Sequence, residues 1–478
     1  MSQNQLLEGV FEIVREHYRN RANRELPIRT WRTPDELAEI LDVAVGSEGV
    51  GVDQLLNSIN AYLSECVKTQ HPHFLQPLWG GLSEAGLAGE IATVLSNTSI
   101  YTWEIAPAAT IVEKEMIASL GVLTGWGQVD GTFTSGGSNS NMLALLLARD
   151  KIIPNAMKEG ADGTKLAVFV SAESHYSLLM SAHVLGIGMD GVIKVETDEM
   201  GRMKPAMLRA EIEKIKGSER RPFCVVATAG TTVRGAFDSI DELADVCQDE
   251  NLWLHVDAAL GGPCLFSERY KHLMNGIERA DSLTWDPHKI MGVPLTCSVL
   301  LTPHLGALNN TCSYSKSAHY LFHELGEEYD LGRKSLQCGR RVDALKLWIE
   351  WKSCGTSGWR KRVDKYVELA TELEQLVNEN PRLELMTERM FTNVCLRHKG
   401  TSDGGDVNAF NEKLRQQMVR DGRFMVTVAK IGDDTVLRPV ICNPGIDSQS
   451  LEAFIEEVCN IGDQLIKNGD MGSHVQSH

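Results

Sequence analysis

Several features that define other classes of protein are missing from this sequence of 478 residues. It contains no run of about eighteen uncharged apolar residues, so it predicts no membrane-spanning helix. The N-terminal stretch MSQNQLLEGVFEIVREHYRNRANREL is charged throughout. It lacks the apolar centre and cleavage site of a secretory signal, so we expect none. Internal repeats and low-complexity segments are also absent, which favours a globular protein with more than one domain.

Positive charge is scarce. The chain has 47 lysines and arginines against 64 acidic residues, a formal net charge of −17 at pH 7. No stripe of lysine and arginine interrupts this excess of negative charge. Because such a chain repels a phosphate backbone, the composition excludes a nucleic-acid partner.

Paired cysteines are missing as well. The eleven cysteines are scattered, none forms a CxxC pair, and most lie in apolar runs such as PFCVVAT and LTCSVLL. This pattern predicts buried, reduced thiols in the cytoplasm rather than disulfides or zinc ligands. His71 and His73 have a spacing that a metal pair can show, but no further ligand cluster accompanies them. We interpret them as the wall of a pocket and expect no metal.

The hydrophobic pattern divides the chain into three regions. Residues 1–65 have apolar residues at helical spacing. Residues 66–345 alternate helical patterns with short apolar runs, namely KLAVFVSAESH, GVIKVET, FCVVATAG, LWLHVDAA, DSLTWD and TCSVLL. This alternation predicts a mostly parallel sheet with helices on both faces. Residues 346–478 open with a long helix, continue with strands and end with a helix, which predicts a smaller C-terminal α/β domain.

Functional residues are expected where strands end, because ligands of open α/β sheets bind beyond the carboxyl ends of the strands. Asp257 ends the apolar run LWLHVD, although an acid here is often only a turn residue. FCVVAT ends in small and hydroxyl residues, and His175 follows the run FVSAES. The loop from Ser135 to Asn139 leads into a helix expected near Ser140, and such a junction can bind phosphate. Each of these signals is weak by itself.

Together with one lysine, these signals indicate a single kind of ligand. Lys289 stands in DSLTWDPHKIMGVPLTCSVLL, before residues 293–301, which we expect to form a buried strand. Burial disfavours the charged form of an amine and leaves a nucleophile that condenses with an aldehyde. A phosphate cradle, a histidine, a strand-end acid and a buried lysine match the phosphate, ring and aldehyde of pyridoxal phosphate.

The chain resembles the group II pyridoxal-phosphate-dependent amino acid decarboxylases, the branch with glutamate and cysteine-sulfinate decarboxylases. The likeness runs from HPHFLQPLWGG (71–81) to RPVICNP (438–444) and includes SGGSNSNM, SAESHYS, ATAGTTVRGAFD, HVDAALGG, WDPHKIMGVPLTCS and LQCGRRVDALKLW in the family's order. It implies the type I fold of pyridoxal-phosphate-dependent transferases, which is aspartate aminotransferase-like. It also implies a homodimer whose sites are shared between subunits, with residues 1–65 as the dimerisation segment, 66–345 as the cofactor-binding domain and 346–478 as the small domain.

The resemblance also implies roles for single residues. Lys289 forms the Schiff base with the cofactor, Asp257 pairs with the pyridinium nitrogen, and His175 stacks on the ring. The remaining cofactor contacts fall on Ser138, Asn139, Thr228, Ala259 and His288. Arg340, in CGRRVD, is expected to receive a substrate carboxylate through two hydrogen bonds. Tyr320, in SAHYLFHE, matches the family's catalytic loop, where a tyrosine returns a proton after carbon dioxide leaves.

The segment expected to select the substrate departs from the family pattern. The family's HPRFFNQL is HPHFLQPL here, so Gln76 is followed by Pro77, and Trp79 replaces a smaller residue. Phe74, Gln76 and Trp79 are the residues expected to contact the substrate. Asp286 in DPHK and Leu260 in DAALGG also differ from the family's asparagine and tryptophan.

These departures leave the reaction type intact and the substrate open. We expect a small acidic amino acid: glutamate, aspartate, cysteine sulfinate or cysteate. An aromatic or aliphatic substrate remains an alternative, as do an aldehyde synthase, an aminotransferase and a lyase on the same fold. The presence of Tyr320 argues against the aldehyde-forming route. A non-catalytic homologue is disfavoured because Lys289, Asp257, His175 and Arg340 are all present.

Overall fold

The computed structural model describes residues 4–161, 163–313, 326–400 and 405–469. Within these residues the α-helices are α1 Gln5–Asn20, α2 Pro34–Leu41, α3 Val52–Glu65, α4 Glu84–Ser96, α5 Pro107–Leu123, α6 Gly137–Ile152, α7 Ala156–Glu159, α8 Ser177–Val184, α9 Pro205–Lys216, α10 Ile240–Glu250, α11 Ala307–Cys312, α12 Asp343–Glu379, α13 Val407–Asp421 and α14 Ser448–Lys467. The strands are β1 Asp130–Thr134, β2 Lys165–Ser171, β3 Val192–Val195, β4 Arg220–Thr228, β5 Trp253–Asp257, β6 Ser282–Trp285, β7 Ser298–Thr302, β8 Leu383–Leu385, β9 Leu396–His398, β10 Thr427–Ile431 and β11 Asp434–Arg438. Helix α12 is interrupted at Gly355 (φ 66°, ψ 171°). No helix in the described ranges is both long and apolar enough to cross a membrane.

A seven-stranded sheet forms the centre of the larger part of the chain, in the order β1-β7-β6-β5-β4-β2-β3. Strands β3, β2, β4, β5 and β6 pair in parallel, and β7 runs antiparallel to both β6 and β1. The mostly parallel sheet confirms the α/β class. Every residue of β5 and β6 is buried, as expected for strands covered on both faces.

Helix α6 is buried against this sheet. Its residues from Leu143 to Ala148 are all buried and share a core cluster with Leu166, Val168 and Phe223. A helix that is apolar on nearly all sides lies inside a fold rather than on its surface. The sheet and the core therefore fix the position of the first turn of α6.

Two local features differ from the sequence expectations. Strand β1 lies in DGTFT, which was not among the strands expected from the sequence; pairing with β7 stabilises this segment of weak strand propensity. The strand expected at residues 293–301 begins only at Ser298. Gly292 has a positive φ of 69° and Pro294 has no N–H to donate, so the chain first makes a turn.

A smaller antiparallel sheet has the order β10-β11-β9-β8, and α13 and α14 pack against its strands. By its contacts the chain divides into two compact units. The first comprises Met1–Gly81, Leu369–Met386 and Val394–His478, and the second comprises Leu82–Glu368 and Thr387–Asn393. The domain boundaries at residues 65/66 and 345/346 remain predictions from the sequence.

Candidate functional site

The candidate residues of the second unit follow four adjacent parallel strands. Thr228 and Asp257 are the last residues of β4 and β5 and are aligned in register. His175 follows β2, and Lys289 follows β6. Since β2, β4, β5 and β6 are neighbours that run in parallel, their carboxyl ends place these residues along one edge of the sheet. The topology thus places these residues along the edge where a ligand was expected, and their roles remain predictions.

Asp257 is a buried carboxylate that receives two hydrogen bonds. Its side chain accepts from Asn141 Nδ2 at 2.8 Å and from the backbone N–H of Ala259 at 3.2 Å. The residue is 6% exposed. Ala259, a predicted cofactor contact, is therefore a neighbour of the carboxylate. Asn141 is a site residue that the sequence analysis missed, although it belongs to the quoted motif SGGSNSNM.

A row of buried polar side chains continues behind Asn141. Asn141 Oδ1 lies 3.0 Å from His255 Nε2, His255 Nδ1 lies 2.8 Å from Ser282 Oγ, and Trp253 Nε1 donates to Ser282 Oγ at 2.8 Å. Burial lowers the pKa of His255 to about 4, against a smaller opposite effect of Asp257. His255 is therefore neutral at physiological pH. The sequence signal that His255 lies near the site was its position two residues before Asp257, on the same face of β5.

Lys289 has a buried acidic neighbour. Its Nζ lies 3.4 Å from Oδ2 of Asp286, and His288 Nε2 lies 3.8 Å from the same Oδ2. Asp286 is 2% exposed, and its Oδ1 accepts a hydrogen bond from Ser298 Oγ. The side chain of Lys289 is 19% exposed, so it is less buried than the sequence predicted.

Burial disfavours the charged forms of the two histidines of the site. Burial lowers the pKa of His288, whose Nδ1 lies 2.6 Å from the carbonyl oxygen of Cys297. Burial also lowers the pKa of His175, and the nearby Asp257 opposes this effect. A neutral, half-buried imidazole is suited to contact an aromatic ring.

The loop before α6 has the backbone geometry of a cradle. Gly136 has φ 141°, a conformation that favours glycine. A Cβ on Gly137 would lie 2.6 Å from Asp286 Oδ2, so the loop runs directly beside this acid. Helix α6 begins at Gly137, earlier than expected, which places the predicted phosphate contacts Ser138 and Asn139 in its first turn.

Arg340 requires a correction. Its Nη1 and Nη2 donate to both carboxylate oxygens of Glu113 at 2.7 and 2.8 Å, and the two side chains are only 4% and 1% exposed. Nη1 also donates to the carbonyl oxygen of Phe133 at 3.3 Å. The pairing conflicts with a role for Arg340 in receiving substrate, because a substrate carboxylate has to displace a buried partner. Nothing in the sequence around Arg340 indicated Glu113, which is 227 positions away.

The predicted substrate contacts of the segment HPHFLQPLWGG belong to the first unit. Phe74 is 3% exposed and packs with Ile28 and Met425, so its ring is part of a core. Trp79 and Gln76 are half-buried, and Gln76 Oε1 lies 3.5 Å from Arg415 Nη2. Phe74 is therefore less suited to contact a substrate than Gln76 or Trp79.

Arg438, in the same unit, was not considered from the sequence. It is the last residue of β11 and is 5% exposed, and burial lowers the pKa of its guanidinium. Two residues later the backbone N–H of Val440 donates to Leu75, next to Gln76. A cation at a strand end, in the vicinity of a predicted substrate segment, is a second candidate for binding a carboxylate.

Tyr320 lies outside the described residues.

Comparisons with known proteins identify the family of this chain. The family model described as the pyridoxal-dependent decarboxylase conserved domain matches residues 34–399. Cysteine sulfinic acid decarboxylase of Rattus norvegicus is 38% identical over 475 residues, 96% of each chain. Acidic amino acid decarboxylase GADL1 of Mus musculus is 36% identical over 446 residues, 90% of this chain and 81% of that protein.

Solved structures show the same fold. The crystal structure of mouse CSAD has a TM-score of 0.92 at 38% identity, covering 96% of this chain and 98% of that one. The structure of Oryza sativa TDC with PLP and tryptamine has a TM-score of 0.89 at 22% identity, covering 97% and 99%, and supports the fold alone. The expected fold is confirmed.

The residues present also fit pyridoxal phosphate on structural grounds. The Oγ1 atom of Thr228 is buried without a hydrogen-bond partner among the described residues, although buried hydroxyl groups are normally satisfied. It lies at the end of β4, beside Asp257 in register. A ligand at this edge that offers polar atoms to Thr228 and a ring nitrogen to Asp257 satisfies both groups.

Proposed function

The chain belongs to the pyridoxal-dependent decarboxylase family, and we propose that its substrate is a small acidic L-amino acid, such as cysteine sulfinate, cysteate, aspartate or glutamate. The observation that carries this proposal is the similarity, over nearly the whole chain, to decarboxylases named for cysteine sulfinic acid and for acidic amino acids. The products are carbon dioxide and the corresponding amine.

Bound pyridoxal phosphate supplies a conjugated ring that accepts the electron pair left by departing carbon dioxide. Lys289 would provide the amine to which the cofactor attaches, and its side chain is 19% exposed. Asp257 holds a proton at the ring nitrogen, which increases the capacity of the ring to take up electrons. Asn141 orients the Asp257 carboxylate through a hydrogen bond.

The other predicted contacts hold the cofactor in place. We propose that Ser138, Asn139 and His288 bind its phosphate, because the first turn of α6 offers N–H groups and the positive end of the helix dipole. His175 contacts the ring, and Thr228 supplies a hydroxyl group that lacks another described partner. The role of Tyr320 in returning the proton follows from the resemblance.

For the substrate carboxylate we propose Arg438 in place of Arg340. Arg438 is a buried cation at the end of β11. Both terminal nitrogens of the Arg340 guanidinium donate to Glu113, so a substrate carboxylate would have to displace that buried partner. Gln76 and Trp79 remain the proposed contacts for the substrate side chain.

We further propose a cytoplasmic homodimer. Helix α4 exposes Ile91, Val94 and Leu95 at helical spacing, and Val94 and Leu95 are 62% and 80% exposed. Contiguous exposed apolar side chains mark association surfaces. All eleven cysteines lie in the described ranges without forming a disulfide, and eight of them are buried, which supports a reducing compartment.

The test is an assay of the purified protein, with added cofactor, against acidic, aromatic and aliphatic amino acids. Carbon dioxide and amine are measured together, so that aldehyde and ammonia are detected separately. We expect turnover of acidic substrates, loss of turnover in Lys289→Ala, and retention in Lys334→Ala, which removes another lysine that pairs with a buried aspartate. Preferential turnover of aromatic or aliphatic substrates refutes the substrate proposal.

A further inference from the structure

Behind Asp257 lies a continuous row of five buried polar side chains whose hydrogen-bond directions can be assigned. The row runs through Trp253, Ser282, His255, Asn141 and Asp257 with successive distances of 2.8, 2.8, 3.0 and 2.8 Å. Each member is at most 6% exposed. Solvent therefore does not compete for these bonds.

The chemistry of the two ends determines the direction of every bond. An ionised carboxylate only accepts, so the amide nitrogen of Asn141 faces Asp257 and its oxygen faces His255. His255 therefore donates from Nε2. At the other end an indole N–H only donates, so Ser282 accepts from Trp253 and turns its own hydrogen toward His255 Nδ1.

The bond directions assigned from the two ends of the row are consistent with a neutral His255 that has its proton on Nε2. This is the form that complete burial favours, because a charged imidazole loses its hydration inside the protein. Thr284 Oγ1 lies 3.3 Å from the same Nε2 and can share its hydrogen. The four groups before Asp257 thus all donate toward it, and none opposes another.

We infer that Asn141 and His255 are positioning residues that keep Asp257 oriented, as an acceptor, toward the ring nitrogen of the bound cofactor. This inference rests on the proposed placement of that nitrogen at Asp257. Asn141 supplies the donor to the carboxylate, and His255 prevents the Asn141 amide from turning. Without this donor, the Asp257 carboxylate keeps only the bond from the backbone N–H of Ala259, and the ring nitrogen is held less firmly.

The test compares two ligands of the cofactor-free protein at equilibrium: pyridoxal phosphate, and its deaza analogue in which a carbon replaces the ring nitrogen. Affinity is measured by titration followed by protein fluorescence, without any turnover. The wild-type protein is expected to prefer pyridoxal phosphate. In Asn141→Ala we expect its affinity for pyridoxal phosphate to fall roughly tenfold, because a hydrogen bond to a buried charged group is lost. The affinity for the analogue is expected to change less than twofold.

Ser177→Ala is the matched control. Asn141 Nδ2 also donates to Ser177 Oγ at 3.1 Å, so this variant removes a bond of the same amide and leaves the bond to Asp257. It is expected to keep the wild-type preference. Asn141→Asp, which puts a carboxylate against Asp257, is expected to lose at least as much preference as Asn141→Ala.

The outcomes separate the inference from its premise. If the wild-type protein binds both ligands equally, the placement of the ring nitrogen at Asp257 is wrong. If the wild type shows a preference and Asn141→Ala keeps it, or weakens both ligands equally, Asn141 is not a positioning residue. Retention of turnover on acidic substrates in either case leaves the proposed reaction standing.

Discussion

At the scale of single residues, two buried carboxylates set the electrostatics of the site. Asp257 is surrounded by donors that stabilise its charge, whereas Asp286 lies beside the Gly137 loop and only 3.4 Å from the Lys289 amine. At the proposed cofactor site, binding brings a phosphate to this loop. Asp286 therefore opposes the phosphate charge, and it also holds the lysine in an ion pair in the absence of cofactor.

We predict that Asp286→Asn increases the affinity of the cofactor-free protein for pyridoxal phosphate by roughly threefold to tenfold, because a like charge is removed from the site. Equilibrium titration measures the change. Asp130→Asn is the control, because Asp130 is also buried and paired with a lysine. It lies away from the site: it is four residues along β1 from Thr134, whose partner in the sheet is Ser298. Weaker binding by Asp286→Asn contradicts the prediction.

The Arg340–Glu113 pair gives a second prediction. Arg340→Ala leaves Glu113 as an unpaired buried charge and is expected to lower the free energy of unfolding by about 3–5 kcal/mol. Arg340→Met combined with Glu113→Leu is expected to lose less than the single variant. Urea denaturation measures both. If Arg340→Ala unfolds like the wild type and only KM for substrate rises, Arg340 binds substrate after all.

His255 makes stability depend on pH in a defined window. Its pKa is about 4 in the folded protein and near 6.5 in an unfolded chain, because burial disfavours its charged form. Between these values the unfolded state binds the extra proton, so the free energy of unfolding falls as the pH falls from about 6.5 to 4, by about 3 kcal/mol from this group.

We measure this contribution as the difference between the wild type and His255→Gln in urea unfolding at several pH values. A difference is necessary because Asp238, whose pKa burial raises to about 7, acts with the opposite sign in much of the same range. We expect the acid-side slope to be flatter in His255→Gln. Parallel curves for the two proteins contradict the pKa shift of His255.

At the scale of secondary-structure elements, close backbone contact positions the helices of the second unit. A Cβ on Gly89 of α4 would lie 2.9 Å from Lys346 Cα at the start of α12. Lys346 is fully buried and pairs with Asp343 at 2.8 Å, so it has no room to move away. Glycine at position 89 permits this approach.

Gly89→Ala is expected to lower the free energy of unfolding by about 1–3 kcal/mol through overpacking, which exceeds the roughly 1 kcal/mol gained in helix propensity. Gly127→Ala is the control, because a Cβ there has no neighbour within 4 Å and φ is not positive. Chemical denaturation compares the two. A more stable Gly89→Ala contradicts the close approach of α4 and α12.

At the scale of the whole molecule, the exposed stripe of α4 predicts association. We expect sedimentation at twice the chain mass for the wild type and a shift toward monomer in Leu95→Glu, because a charge is then placed on an apolar contact surface. Leu305→Glu changes an equally apolar residue that is 60% exposed outside α4, and should leave the mass unchanged. A monomeric wild type contradicts the proposal.

Much of this molecule could be predicted from short segments. Strands β2, β4, β5 and β6 are apolar runs flanked by polar turns, and such runs form strands whatever their partners are. Thr228, Asp257 and Lys289 follow these runs directly, so their places at the sheet edge follow from local sequence and parallel topology. The motifs of the family gave their expected roles.

Contacts between distant residues were decided only by the tertiary structure. Strand β1 exists because β7 pairs with it, and Arg340 is bound by a glutamate 227 positions away. The bond from Asn141 to Asp257 joins residues 116 positions apart. The pattern around each residue contains no information about such partners, because they meet only when the strands and α6 are packed. The sequence by itself thus determined which groups are available for chemistry, and the packing decided which of them hold one another in place.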